Sequence, residues 1–331
     1  MLFPARSHDR RVGPCAQWPA FAMTQRIEST GLSRDPNIIA FAALILGAVA
    51  MGASPIFVRF AEVGPLTSAF WRVALALPAL WLWTRREQAA AARDGRKDAG
   101  LSEAERGAIP ALVMAGLLFS GDLIFWHLAI VNTSVANATF LATLAPVWVV
   151  LGSGLLLGEQ VDRKVITGLM FGLAGMAFLI GGTISLNPEN LDGDLYGVVT
   201  SFFFGGYFLA VRRARRIFGS GRTLFLSTIV TAAVLLVVAL ALEDQIWPFT
   251  VYGAAALVAL ALISHVGGQG LLAYALGFLP AAFSALVIFV EAVAAAALGW
   301  IILGETIGLT QLFGAVAIFM GIAIARPQRS R

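Results

Sequence analysis

One stretch of this chain occurs twice, and the duplication limits what the rest can become. At an offset of 146 residues, Leu157-Gly158-Glu159 returns as Leu303-Gly304-Glu305, Gly168 as Gly314 and Gly175 as Gly321. The match extends upstream, pairing Ala129 with Ala275 and Gly121 with Gly267. Glycines at matched positions in two apolar helices joined by a short turn mark a duplication of about half the chain, far longer than the ~20–50-residue periods of solenoids.

What was duplicated follows from composition. Hydrophobic residues make up 59% and charged residues 13% of the 331, and mean hydropathy is +0.83. That is too little polar surface to coat a soluble globule. The apolar runs reach the ~20 residues a helix needs to cross a bilayer, which predicts an all-α, multi-pass membrane protein. A net charge of +4 could point to nucleic acid, but the arginines sit in connections between apolar runs, as membrane topology requires. Cys15 is the sole cysteine, so no intrachain disulfide forms. Residues 1–35 are polar and arginine-rich and read as a disordered cytoplasmic tail without a signal peptide. Met23 is a plausible later start.

The apolar runs fall near 37–60, 66–84, 108–130, 133–157, 165–183, 195–211, 223–242, 253–276, 281–303 and 308–325, which predicts ten transmembrane helices. The connection after the second span carries Arg85, Arg86, Arg93, Arg96, Lys97 and Arg106. Arg163 and Lys164 follow the fourth, and Arg212, Arg213, Arg215, Arg216 and Arg222 follow the sixth. Connections on the other side are acidic or neutral, with Arg59 the exception. Both termini are therefore expected in the cytoplasm, in a bacterial inner membrane. Five spans per half is an odd number, so the second repeat (195–326) enters the membrane inverted relative to the first (36–184). Inverted repeats are the architecture of many secondary transporters, with substrate held near the midplane between the halves.

These features resemble the EamA-type transporters of the drug/metabolite transporter superfamily, which have ten spans, two EamA repeats and a Leu-Gly-Glu turn between the last two helices of each. The carriers of the likeness are Leu157-Gly158-Glu159 with Gly168 and Gly175, and Leu303-Gly304-Glu305 with Gly314 and Gly321. Phe289-Val290-Glu291-Ala292-Val293 is similar to the family's apolar-Glu-Pro segment, with Ala292 in place of proline. The first copy keeps Pro146 and has Ala145 at the glutamate position. The overall pattern is similar to the YddG-like amino-acid exporter branch. The resemblance implies export of small metabolites, amino acids including aromatic ones among them, with no cofactor.

A charge inside a bilayer is costly, so each intramembrane ionisable group is a functional candidate: Arg72, Asp122, His127, His265 and Glu291. Arg72 and Asp122 fall at similar depth on consecutive helices, which predicts a structural ion pair. Asp122 shares a helix face with Phe125 and Trp126, a place for an aromatic substrate bearing an ammonium group; His127 is assigned to the interface. His265, Gln269 and Glu291 are expected to form a polar centre that binds substrate or couples protons, or else a clasp between two helices. Ser284 and Ile288 share the Glu291 stripe. Ser54, Asn137, Thr143, Phe203 and Tyr207 complete the expected cavity, beside the interrupting Pro55 and Pro146. Gly158 and Gly304 suit a left-handed helix end. Glu159 and Glu305 are expected beside the N-terminus of the helix that follows.

Catalysis finds no support. Asp122 has no aspartate partner within a span, and the sequence contains no Gly-x-Ser-x-Gly, His-Glu-x-x-His or Gly-x4-Gly-Lys-Ser/Thr motif. A channel-like facilitator or a non-transporting scaffold or sensor stands as the alternative. The expected partners are a small-molecule substrate, the lipid bilayer and protons, and neither nucleic acid nor a metal. A bundle this size can enclose a cavity as a monomer.

Overall fold

The computed structural model describes residues 35–93, 102–133, 135–180, 190–304 and 308–327. The expected tail up to residue 34 and Glu305 of the second turn lie outside them. Among the described residues every regular element is helical. Among these residues nine helices have the length and composition to cross a membrane: α1 (Pro36–Arg59), α2 (Pro65–Arg93), α3 (Glu103–Asn132), α4 (Asn137–Leu157), α5 (Arg163–Ile180), α6 (Leu191–Ala214), α7 (Ser220–Leu242), α8 (Val251–Ala275) and α9 (Ala281–Ile302). The tenth expected span is the apolar helix α10 (Leu309–Ala325), 17 residues long. At 1.5 Å per residue that is about 25 Å, short of the ~30 Å hydrocarbon thickness.

Local chemistry sets the helix ends. Pro36, Pro55, Pro65 and Pro146 stand in first turns, where a missing N–H leaves no bond unmade. Ser102 and Glu105 close a capping box on α3. Gly158 and Gly304, with φ of 67° and 69°, end α4 and α9 in the left-handed conformation that glycine adopts without steric cost.

The duplication is visible as exchanged contacts. A Cβ on Gly168 would lie 2.5 Å from the Gly321 carbonyl oxygen, and one on Gly175 would lie 2.7 Å from that of Gly314. Gly168 and Gly314 are repeat equivalents, as are Gly175 and Gly321, so the two contacts swap under the repeat. α5 and α10 therefore run antiparallel about a local two-fold axis perpendicular to both helices. A second pair obeys the same rule. Gly52 of α1 abuts the Glu291 carbonyl and Ala294 of α9, while Gly205 of α6 abuts the Ala145 carbonyl and Trp148 of α4. The antiparallel relation of the halves follows from these glycines, which let backbones touch where apolar solvent supplies no driving force between helices.

Polar contacts mark the two ends of the bundle. At one end Glu87 accepts bonds from the Gly221 and Arg222 amides at 2.9 and 3.3 Å, and Arg222 pairs with Glu105 at 2.6 Å. At the other, Glu243 accepts from the Leu66 and Thr67 amides, each at 2.8 Å. Glu87 and Glu243 are thus counterparts, each carboxylate completing the N-terminus of a helix in the opposite half. Trp71 donates to the Ile246 carbonyl at 2.7 Å and packs on Trp247 at this second end. The arginine-rich connections gather at the first. Around the girth the surface is apolar, with Leu155 87% and Val237 68% exposed, as a lipid-covered face must be.

Candidate functional site

Among the described residues four spans are interrupted, α2 at Leu75–Ala76 and three others beside the centre of the bundle. α1 is interrupted at Ala53 ahead of Pro55, α4 at Thr143–Leu144 ahead of Pro146, and α9 at Ile288. Ala142, the last residue before the α4 break, is the repeat equivalent of Ile288. The α9 break survives although Ala292 stands in the proline position, so packing rather than a pyrrolidine ring maintains it. Broken helices leave backbone groups that must line a cavity or meet protein. Here they line a cavity of about 160 Å³ walled by α1, α2, α3, α4, α6, α8 and α9. It lies in the half of the bundle away from the arginine-rich end, since Met51–Pro55 and Thr139–Thr143 fall in the far halves of α1 and α4.

Its charged lining is Arg72 from α2, Asp122 from α3 and Glu291 from α9. Trp126, Phe119, Phe204, Phe208 and Phe289 supply aromatic walls, and Ser54, Thr143, Gln269 and Ile288 complete the polar and apolar rim. Asp122 is engaged by Thr200, whose Oγ1 lies 2.8 Å from Oδ1 and 2.7 Å from the Asp122 carbonyl oxygen. Gln269 accepts from the Tyr207 hydroxyl at 3.1 Å. Phe119 joins the groups behind the wall: its ring lies 4.7 Å from that of Tyr207, 5.6 Å from His265 and 5.9 Å from the Arg72 guanidinium carbon.

The structure corrects several expectations. Arg72 and Asp122 share the cavity, but no ion-pair contact joins them among the described residues; Thr200 occupies Asp122, and Arg72 interacts over longer range with Glu291 and Asp122. His265 is not part of the lining. It lies on the π-helix Leu260–Gln269, one turn before Gln269, and faces α7 instead of the cavity. Its Nε2 pairs with Thr228 at 3.0 Å, so the expected polar centre is reduced to Gln269 and Glu291. His127 is buried, with Nδ1 2.5 Å from the Leu123 carbonyl oxygen, not at an interface. Asn137 donates to Asp194 at 3.0 Å, beside Thr133 at 2.7 Å, in a junction at the bundle end. Phe203 stacks on Phe125 behind the wall, and its neighbours Phe204 and Phe208 take the cavity face. Tyr207 and Ser284 are buried just outside the lining.

Glu159 also differs from expectation. It serves the N-terminus of α9, accepting from the Ala281 amide at 2.8 Å, not that of the next helix, α5. Arg212 of α6 donates to it at 2.7 Å and to the Leu276 carbonyl at 2.6 Å. Arg216 donates to the Leu157 carbonyl at 2.7 Å. This cluster ties α4, α6, α8 and α9 at the arginine-rich end.

Among the described residues no group of three or more His, Cys, Asp or Glu side chains is placed to hold a metal ion. A model of the EamA-like transporter family matches residues 38–181 and 191–326. A protein of Archaeoglobus fulgidus named an uncharacterized transporter is 26% identical over 287 residues, 86% of this chain and 95% of that one. The pseudopaline exporter CntI of Pseudomonas aeruginosa is 26% identical over 234 residues, 70% of this chain and 80% of its own. A solved crystal structure shares the fold with a TM-score of 0.69 and 21% identity, covering 88% of this chain and 97% of that one.

Proposed function

Since the chain belongs to the EamA-like transporter family, we propose that it is a secondary carrier exporting small metabolites by alternating access, with amino acids, aromatic ones included, as its substrate class. The observation that supports this most is the cavity itself. It lies where α1 and α9 of one packing unit meet α4 and α6 of the other, so a substrate held there touches both repeats. Arg72, Asp122, Glu291 and the aromatic walls offer both signs of charge and a stacking surface, which suits a small molecule with charged and apolar parts. The Glu159 cluster ties the arginine-rich end, which favours a carrier with one end sealed over an open facilitator. Export is the direction named for the Pseudomonas aeruginosa relative, and protons are the proposed coupling ion.

The test is flux of a labelled amino-acid panel in proteoliposomes, with and without a pH gradient. Saturable, competable flux of aromatic amino acids, accelerated by the gradient, is expected. Non-saturating flux would point to a facilitator. Saturable flux indifferent to the gradient would remove the proton, and flux of no amino acid at all would sink the substrate class.

A further inference from the structure

Two charged side chains facing the cavity have no bonding partner among the described residues, and they have opposite signs. Arg72 is 8% exposed, yet it makes no hydrogen bond or ion pair among the described residues, and its Nε is buried without an acceptor. Its near neighbour is the Phe119 ring. A guanidinium carries five donors and stays protonated, so leaving it unpaired inside a membrane protein is expensive. Glu291, on the opposing helix, lines the same cavity with no hydrogen bond to its carboxylate among the described residues. Its backbone amide is engaged, with the Ile288 carbonyl at 2.8 Å. Asp122 differs, because Thr200 already donates to its Oδ1.

We propose that these two groups fix the polarity of the substrate: Arg72 receives its carboxylate and Glu291 its ammonium group, with the side chain against Phe204, Phe208 and Phe289. The inference rests on the carrier reading and specifies how its site discriminates. A guanidinium fork matches a carboxylate with two parallel bonds. A carboxylate is the natural acceptor for the three donors of an ammonium group. The two residues belong to different repeats, Arg72 to the first and Glu291 to the second, so one zwitterion bridges the halves. A molecule with only one of the two charges leaves one buried group unsatisfied, and that penalty supplies the selectivity.

The experiment is competition against tritiated phenylalanine on detergent-purified full-length protein, with phenylalaninamide lacking the carboxylate and 3-phenylpropionate lacking the amine. Wild type should favour phenylalanine over each analogue by about 10- to 100-fold, the range of a charged hydrogen bond lost in a buried site. Arg72→Gln should erase discrimination against phenylalaninamide while keeping that against 3-phenylpropionate, and Glu291→Gln should do the reverse. Each ratio is internal to one variant, so a fall in folded yield does not move it. Arg72→Lys, which keeps the charge on a different stem, should bind more weakly with both discriminations retained. Ratios unchanged in both variants, or changed in the swapped sense, would overturn the assignment while leaving the carrier intact. No binding of phenylalanine by wild type would overturn the amino-acid reading and this assignment together.

Discussion

Arg72 stands where the two repeats diverge in chemistry while agreeing in geometry. The helix N-termini served by Glu243 and Glu87 superpose at an offset of 155, Gly64 on Gly219, which makes Ser227 the counterpart of Arg72, and the offset of 146 makes His265 the counterpart of Phe119. Arg72 packs on Phe119, whereas Ser227 turns its hydroxyl to the Thr223 and Leu224 carbonyls and leaves the next residue, Thr228, to bond His265. That is a physical reason for His265 to be structural, and it was not readable from a lone histidine in an apolar run. Asp122, Trp126, Gln269 and Glu291 were legible, because polar or bulky groups in a lipid-length run have few reasons to be there. What could not be read was rotation: Phe202-Phe203-Phe204 offers three rings in a row, and only packing decides which faces the cavity. Asp122 shows how much such placement matters, because Thr200 is the hydrogen-bonding partner of its carboxylate among the described residues. Thr200→Val should lower stability by about 1–3 kcal/mol, the cost of leaving a buried charged group unbonded, whereas Thr200→Ser should hold near wild type. Thermal midpoints in detergent measure both, and equal midpoints for Val and Ser would show the hydroxyl to be idle.

Helix pairs rather than loops carry the duplication. α5 and α10 meet backbone to backbone: a Cβ on Gly314 would fall 2.5 Å from both the Gly175 carbonyl oxygen and the Leu179 amide nitrogen. Backbone cannot swing aside, so a side chain there must push the helices apart. Gly314→Val and its counterpart Gly168→Val should each lower the thermal midpoint, with an overpacking cost of about 1–3 kcal/mol or more. Gly107, exposed on α3 with nothing within 4 Å of the place a Cβ would take, is the control; Gly107→Ala should be neutral or gain up to about 1 kcal/mol from helix propensity. Similar losses at all three sites would mean that the seam is looser than its contacts indicate. The glycine pattern makes this pairing legible in the sequence, since the two spans share spacing and the repeat names the partner. The π-helix in α8 and the break in α9 at Ile288 were not legible. No proline or glycine marks Ile288, and the interruption depends on neighbours that sequence spacing does not reveal.

For the molecule as a whole, the asymmetry between its two ends decides what motion is available. The cavity reaches toward the arginine-poor end, and the Glu159 cluster joins four helices at the other. Even Arg59, the exception to the positive-inside pattern, fits this scheme: the offset of 153 that places Gly52 on Gly205 makes it the counterpart of Arg212. Glu159 accepts from two donors that belong to the opposite repeat, the Ala281 amide and the Arg212 Nε. On the alternating-access proposal these charged bonds belong to the state in which that end is shut, so neutralising Glu159 should shift the balance toward the state in which it opens. The prediction is a change in sidedness. In a Cys15→Ser background, Ser54→Cys reports the cavity to a membrane-impermeant maleimide. It should react from the cell exterior in intact cells and slowly in inside-out vesicles. Adding Glu159→Gln should raise the rate in inside-out vesicles by about tenfold, the shift that ~1.4 kcal/mol produces, and lower it in intact cells. A rise on both sides would indicate loosening of the bundle instead of a shift between states. Rates unchanged on both sides would return Glu159 to turn construction, with the sealing of that end assigned to the apolar packing around it.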